Sequence, residues 1–169
     1  MVSYRKLKVD ESQMFWDLMN QLDNETKYML YEPGERKEKA SDISQIENLI
    51  TKSLQGDDLL LVAVDNDQLV GYISAQRGDL NRIMHSAYIV VGILKDHANK
   101  GIGTNFFKYL DRWAVDKNIS RLELTVICEN DIARHLYEKS GFVIEGTKRN
   151  SVLVDGKFLD EYYMAKLIE

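Results

Sequence analysis

The sequence predicts a mixed α/β (α+β) fold: a single mixed, mostly antiparallel sheet of about seven strands with helices on both faces. Three observations carry this. Two β-branched runs, 89–94 and 122–127, each lead into an amphipathic stretch of helical period, giving two central βα units. Strand patterns crowd both ends of the chain, and the later ones meet at hairpin-type turn residues. A single proline and the absence of Gly/Ser-rich tracts leave no linker, so residues 1–169 read as one domain.

Taken in order, residues 4–9 alternate polar and apolar and read as a first strand. Asp10 is placed to cap a helix whose Met14, Phe15, Leu18, Met19 and Leu22 share one face. Residues 27–39 are irregular and hold the only proline, Pro33. Ser41 or Asp42 caps the next helix, through Ile43, Ile46, Leu49, Ile50 and Leu54, with Gln45 completing a capping box from Asp42. Strands at 59–64 and 69–75 flank Asp65-Asn66-Asp67-Gln68, a hairpin signal. A long fourth strand covers 85–94. The helix from Ile102 spaces Phe106, Phe107, Leu110, Trp113 and Ala114 as a core face. A fifth strand follows, then a helix from Asn130 closed by Gly141 as a left-handed cap. Residues 142–154 and 158–167 are strands joined through Asp155-Gly156.

Composition narrows the classes. With 44% hydrophobic residues, a chain of 169 residues can bury a sizeable core. A net charge of −5 argues against a general nucleic-acid binder and is compatible with a cationic small substrate. The lone Cys128 excludes an internal disulfide framework, which fits a reducing cytoplasm. No apolar run approaches the roughly 20 residues of a membrane span, and the first residues lack the apolar region of a signal peptide. No membrane partner is therefore expected. Three scattered histidines give no metal-ligand spacing, so no metal is expected.

The chemistry concentrates after the fourth strand. Ile89-Val90-Val91-Gly92-Ile93-Leu94 runs through Lys95-Asp96-His97-Ala98-Asn99-Lys100 into Gly101-Ile102-Gly103-Thr104 and a helix. A strand that empties through glycines into a helix N-terminus offers a cluster of backbone N–H groups, suited to a phosphate. The plain alternative is a βα loop that needs glycine for its turn.

Together with the downstream segment, this pattern resembles the GNAT superfamily of acyl-CoA-dependent N-acyltransferases. The family's loop reads Arg/Gln-x-x-Gly-x-Gly/Ala, and its later helix reads Asn-x-x-Ala-x-x-Leu-Tyr-x-x-x-Gly-Phe. Asn130, Ala133, Leu136, Tyr137, Gly141 and Phe142 match the second in full, while Ala98 departs from the first. The resemblance implies a GNAT fold with splayed central strands and acetyl-CoA as acyl-donor cosubstrate. It implies that backbone around Val91, Gly92 and Ile93 holds the pantetheine arm and polarises the thioester carbonyl. It further implies that Ala98, Asn99, Lys100, Gly101, Ile102, Gly103 and Thr104 hold the pyrophosphate, and that Asn130 and Ala133 serve the cofactor. The loss of Arg or Gln at Ala98 removes a side-chain contact, which Lys100 or Asn99 is placed to replace, and leaves the backbone amides. The closing segment, 141–164, looks like the subgroup of ribosomal-protein N-terminal and small-amine acetyltransferases.

Tyr137 is the candidate general acid. A tyrosine with pKa of about 10 stays protonated at neutral pH and can donate as a thiolate leaves. Ala133, four residues earlier on the same face, leaves room beside it. The alternative is a buried ring with a hydrogen-bonded hydroxyl. For Gly92 the alternative is relief of core crowding, and for Asn130 a simple N-cap, a role compatible with cofactor contact.

A base is needed because an alkylammonium must lose a proton before it attacks. His85, at the start of the fourth strand, is the candidate, with a structural histidine as its alternative. Tyr31, Glu32 and Glu35 are candidates for binding a cationic acceptor, against a solvated acidic loop. Phe15, residues 28–36 and the last two strands are expected to shape the acceptor pocket. Cys128 reads as a small, partly buried residue rather than a nucleophile. The expected activity is acetyl transfer to a primary amine, either a small metabolite or a peptide N-terminus, with a homodimer among the expected assemblies. A non-catalytic acyl-CoA-binding module is the rival. A Rossmann or P-loop domain would need a fuller glycine signature than Gly101-Ile102-Gly103.

Overall fold

Seven strands form one sheet in the order β1-β2-β3-β4-β5-β7-β6 in the computed structural model, which describes residues 1–169. The strands are β1 (Ser3–Lys6), β2 (Leu59–Asp65), β3 (Gln68–Arg77), β4 (Ser86–Ile93), β5 (Arg121–Ile127), β6 (Val143–Val154) and β7 (Lys157–Leu167). The helices are α1 (Ser12–Glu25), α2 (Glu35–Lys39), α3 (Ile43–Leu54), α4 (Ile102–Asp116) and α5 (Asp131–Lys139). The β4–β5 pair is parallel, whereas β1–β2, β2–β3, β5–β7 and β6–β7 are antiparallel. The chain divides into two compact units, Met1–Gln76 with Val90–Phe106, and Arg77–Ile89 with Phe107–Glu169.

In the first unit, β2 is buried from Leu59 to Ala63 without alternation, as a strand covered on both faces must be. The β2–β3 turn places Asn66 and Asp67 at φ 49° and 63°, the left-handed pair that a two-residue hairpin requires. Helix α1 buries Phe15, Leu18, Met19 and Leu22, and the Phe15 ring meets Tyr72 edge-on at 5.1 Å. Met14, expected on that face, is exposed. Strand β1 is shorter than predicted and Val9 lies in a 3-10 turn. The cause is Glu11, whose carboxylate takes the Lys8 N–H at 2.8 Å and both Arg5 Nη groups at 2.7 and 2.9 Å, turning the chain early. Asp42 caps α3 as predicted, accepting the Ser44 N–H at 3.0 Å.

The second unit begins β5 under β4, with Ser86 opposite Arg121, Ala87 opposite Leu122 and Tyr88 opposite Glu123. Its core is a cluster of Phe107 from α4, Tyr137 from α5 and Phe142, packed edge-to-face at 5.5–5.7 Å around Phe107. Gly141 ends α5 at φ 99°, and Phe142 N–H returns to the Tyr137 carbonyl at 3.0 Å, the predicted left-handed cap. The β6–β7 turn uses Asp155 and Gly156 at φ 51° and 76°. Strand β6 is interrupted between Lys148 and Val152, where Asn150 is left-handed at φ 49° and donates its N–H to Asp160 at 2.8 Å. No helix is long and apolar enough to cross a membrane.

Candidate active site

The first unit carries the glycine loop. After β4 a 3-10 turn, Lys95–His97, is followed by extended Ala98, then left-handed Asn99 at φ 60° and Gly101 at φ 80°. Alternating left-handed residues turn successive amides to one side of the loop. The first intrahelical bond of α4 runs from the Asn105 N–H to the Gly101 carbonyl at 3.0 Å, so the amides of Ile102, Gly103 and Thr104 precede it at the positive end of the helix dipole. Ala98, Asn99, Lys100 and Gly101 are exposed. A Cβ at Gly101 would meet no atom within 4 Å, so backbone conformation, not space, makes this residue glycine.

Two carboxylates that the sequence did not single out hold this loop. Glu25, at the end of α1, accepts the Lys95 N–H at 2.8 Å. Asp65, at the end of β2, meets His97 Nε2 at 3.1 Å. Asn105 donates to the Tyr4 hydroxyl at 2.9 Å, tying the first turn of α4 to β1. Such long-range ties leave no local sequence signal; an acidic residue closing each element was the only hint.

Gly92 answers the question its sequence posed. An added Cβ would lie 2.8 Å from Leu22 Cδ1 and 3.2 Å from Tyr72 Cε1. On β3, a Cβ at Gly71 would lie 3.0 Å from the Gly92 carbonyl oxygen. Close packing of α1 and β3 against this part of β4 therefore accounts for the glycine, the alternative the sequence had offered. The backbone of Val91 and Ile93 flanks it in the partly exposed end of the strand.

Residues 26–34 are irregular as expected, but Glu35–Lys39 close into the short helix α2, entered through left-handed Gly34. The segment is anchored by Asp23, which is fully buried on α1 and takes Arg36 Nε at 2.6 Å. The Tyr31 ring stacks on the Arg36 guanidinium at 4.4 Å. Glu35 accepts the Glu32 N–H at 3.2 Å and faces Lys39 at 3.5 Å, while the Glu32 side chain is exposed. Tyr31 and Glu35 thus have structural work, and Glu32 is the freer carboxylate. Beneath them Tyr72 is buried, and burial pushes its hydroxyl up to about 12.

The second unit carries Asn130, Ala133, Tyr137 and His85. Asn130 Oδ1 accepts the Ala133 N–H at 3.3 Å and so caps α5; its amide NH₂ is a separate donor. Arg134 on the same helix is occupied by Asp131 and Glu138 at 3.0 and 3.1 Å. The Tyr137 ring is 8% exposed and clamped by Phe107 and Phe142, so its orientation is fixed by packing. His85 lies just ahead of β4 with an exposed side chain. Its carbonyl accepts the N–H groups of Ser120 and Arg121 at 2.9 and 3.0 Å, which fixes the start of β5. Burial raises the Cys128 thiol, which keeps it in the thiol form and agrees with a non-nucleophilic residue.

The family model described as Acetyltransferase (GNAT) family matches residues 16–142. The chain is 30% identical over 112 residues to the L-amino acid N-acetyltransferase AaaT of Escherichia coli (strain K12), covering 64% of this chain and 67% of that protein. It is 28% identical over 145 residues to the spermidine N(1)-acetyltransferase of Vibrio cholerae, covering 84% and 79%. A crystal structure of a GNAT-family acetyltransferase from Streptococcus pneumoniae superposes with a TM-score of 0.92 at 26% identity over 100% of both chains.

Proposed function

The chain belongs to the GNAT acetyltransferase family, and on that premise we propose that residues 1–169 act as one domain that transfers the acetyl group of acetyl-CoA to a primary amine by direct attack in a ternary complex. The turn at Asn99 and Gly101 leading into α4 carries the reading: left-handed residues and helix amides suit a pyrophosphate without the side chain missing at Ala98. Val91, Gly92 and Ile93 contribute backbone groups to the pantetheine and the thioester oxygen. Asn130 adds an amide donor, and the small Ala133 leaves space for the cofactor.

The amine nitrogen bonds to the acetyl carbon as the C–S bond breaks, and Tyr137 gives its proton to the departing sulfur. The packed ring of Tyr137 supports this role, because a fixed donor needs no reorganisation during the step. His85 is proposed to relay the acceptor's proton to solvent, an assignment supported by its exposed imidazole. Glu32 draws a cationic acceptor towards the 26–40 segment. The acceptor is either a small amine metabolite or a peptide N-terminus. A cytoplasmic setting and a homodimer complete the proposal. For the latter, Val143, Leu153, Phe158 and Leu167, exposed on β6 and β7, supply apolar surface for a second copy.

The test is direct. Coenzyme A and acetyl-CoA should raise the melting temperature whereas ATP and NAD should not. Thiol release should then follow with at least one member of a panel of polyamines, amino acids, aminoglycosides and N-terminal peptides, and fall in His85→Gln. Stabilisation by a nucleotide but not by coenzyme A would overturn the donor assignment.

A further inference from the structure

On the second unit one face of the sheet lines a cavity of about 330 Å³, with Tyr88, Arg121, Glu123, Thr125, Glu145 and Tyr163 in its walls. Strand alternation creates it. Arg121, Glu123 and Thr125 point to one face of β5, while Leu122, Leu124 and Val126 are buried on the other. Register adds Tyr88, opposite Glu123 on β4, and Tyr163, opposite Thr125 on β7, to the same face. Tyr88 and Thr125 share a hydroxyl hydrogen bond of 2.9 Å, so both are fixed along one wall. The two tyrosines are 40% and 45% exposed, the open part of each ring being what a ligand would meet.

The polar end of the cavity has an uneven charge. Arg121 donates through Nε to Glu123 at 2.8 Å and through both Nη groups to Glu145 at 2.5 and 3.1 Å. One guanidinium therefore faces two carboxylates, leaving a net negative charge. Glu145 is held below the usual carboxylate range by Arg121 and stays ionised. Each carboxylate keeps lone pairs that Arg121 does not use, and their side chains are about 41–42% exposed. A free carboxylate on a ligand would find the only cation here already doubly paired. An ammonium finds two carboxylates beside tyrosine faces, which also attract cations.

We propose that this cavity is a subsite for an alkylammonium group, and that the chain therefore selects acceptors with a second positive charge, diamines or polyamines, over amino acids. The inference rests on the acetyl-transfer reading for the identity of the amine as acceptor. Strand β5 connects the two, running from this cavity to the Asn130 cap of α5.

The experiment compares 1,4-diaminobutane, 1-aminobutane and glycine as acceptors for the whole protein, with direct calorimetric titration of each. The diamine should exceed 1-aminobutane in kcat/KM by about two- to fivefold, the scale of a partly exposed ion pair. Glu145→Gln should remove most of that ratio and weaken diamine binding. Arg121→Gln should shift binding the other way, since it frees both carboxylates. A ratio that Glu145→Gln leaves unchanged, or a preference for glycine, would overturn the subsite. Coenzyme A binding, measured on the same samples, keeps the outcomes apart: its loss would indict the donor reading, and its retention with no diamine preference would indict the subsite alone.

Discussion

Replacing Gly92 with alanine tests the packing that surrounds the proposed pantetheine strand. The added Cβ would sit 2.8 Å from Leu22 Cδ1, when carbon atoms prefer about 3.5–4.0 Å. Leu22 is 2% exposed and Tyr72 5%, so neither can swing into solvent. Overpacking of this kind costs about 1–3 kcal/mol. Gly92 is not left-handed, so alanine also gains about 0.4–1 kcal/mol by restricting the unfolded chain. The net expectation is a loss of about 1–2 kcal/mol, or a melting temperature lower by roughly 2–8 °C for a chain of this size. The assay is urea and thermal denaturation of Gly92→Ala in the wild-type and Leu22→Ala backgrounds. Leu22→Ala is itself destabilising, but in that background the second change should become neutral within about 0.5 kcal/mol, a coupling expected only of residues in contact. An equal cost in both backgrounds would refute crowding by Leu22 as the reason for the glycine.

Other substitutions separate roles that overlap at one residue. Gly101→Ala forces a left-handed alanine at φ 80° into open space, so stability should fall by only about 1–2 kcal/mol while the acetyl-CoA KM rises roughly fivefold or more as the amides reorient. Asn130→Asp keeps an equivalent N-cap oxygen but loses the amide donor; the melting temperature should hold while coenzyme A affinity falls up to about tenfold. The Arg5–Glu11 pair predicts a pH effect. Arg5 holds Glu11 below the usual carboxylate range in the folded state, so the stabilisation is complete above the unfolded-state pKa of about 4.3 and is lost as pH falls through the lower folded value. Glu11→Gln should therefore flatten the acid limb of the denaturation midpoint below about pH 4.5 and lower stability at pH 7.

Local signals were the readable ones. The Asn66-Asp67 and Asp155-Gly156 turns, the Asp42 and Asn130 caps and the Gly141 terminus each depend on chemistry within a few residues, and the structure has them where the sequence put them. The strand order was not among these readings: β7 inserts between β5 and β6, a pairing between distant segments that no local turn or cap signals. Helix α2 was not readable: Glu35-Arg36-Lys37-Glu38-Lys39 has no apolar period, and its position depends on Asp23, thirteen residues away, reaching Arg36 in the core. Glu11 shortening β1, and Glu25 and Asp65 anchoring the glycine loop, are long-range or side-chain-specific in the same way. The Arg121 group was half-visible. Its alternation with Leu122 and Leu124 marks an open face, but Glu145 joins it only through the β5–β7–β6 register. For Gly92 the sequence favoured a bulge or close backbone approach over relief of crowding, and only the position of Leu22 brings the crowding to light.

The central claim is that Tyr137 protonates the thiolate of coenzyme A. Phenylalanine preserves the ring that Phe107 and Phe142 clamp, so Tyr137→Phe removes the proposed proton donor while keeping that packing. Steady-state kinetics with acetyl-CoA and a turned-over amine should show kcat lower by about 10²-fold, with the acetyl-CoA dissociation constant, measured separately, within about twofold of wild type. Unchanged turnover in a folded Tyr137→Phe protein would contradict the account.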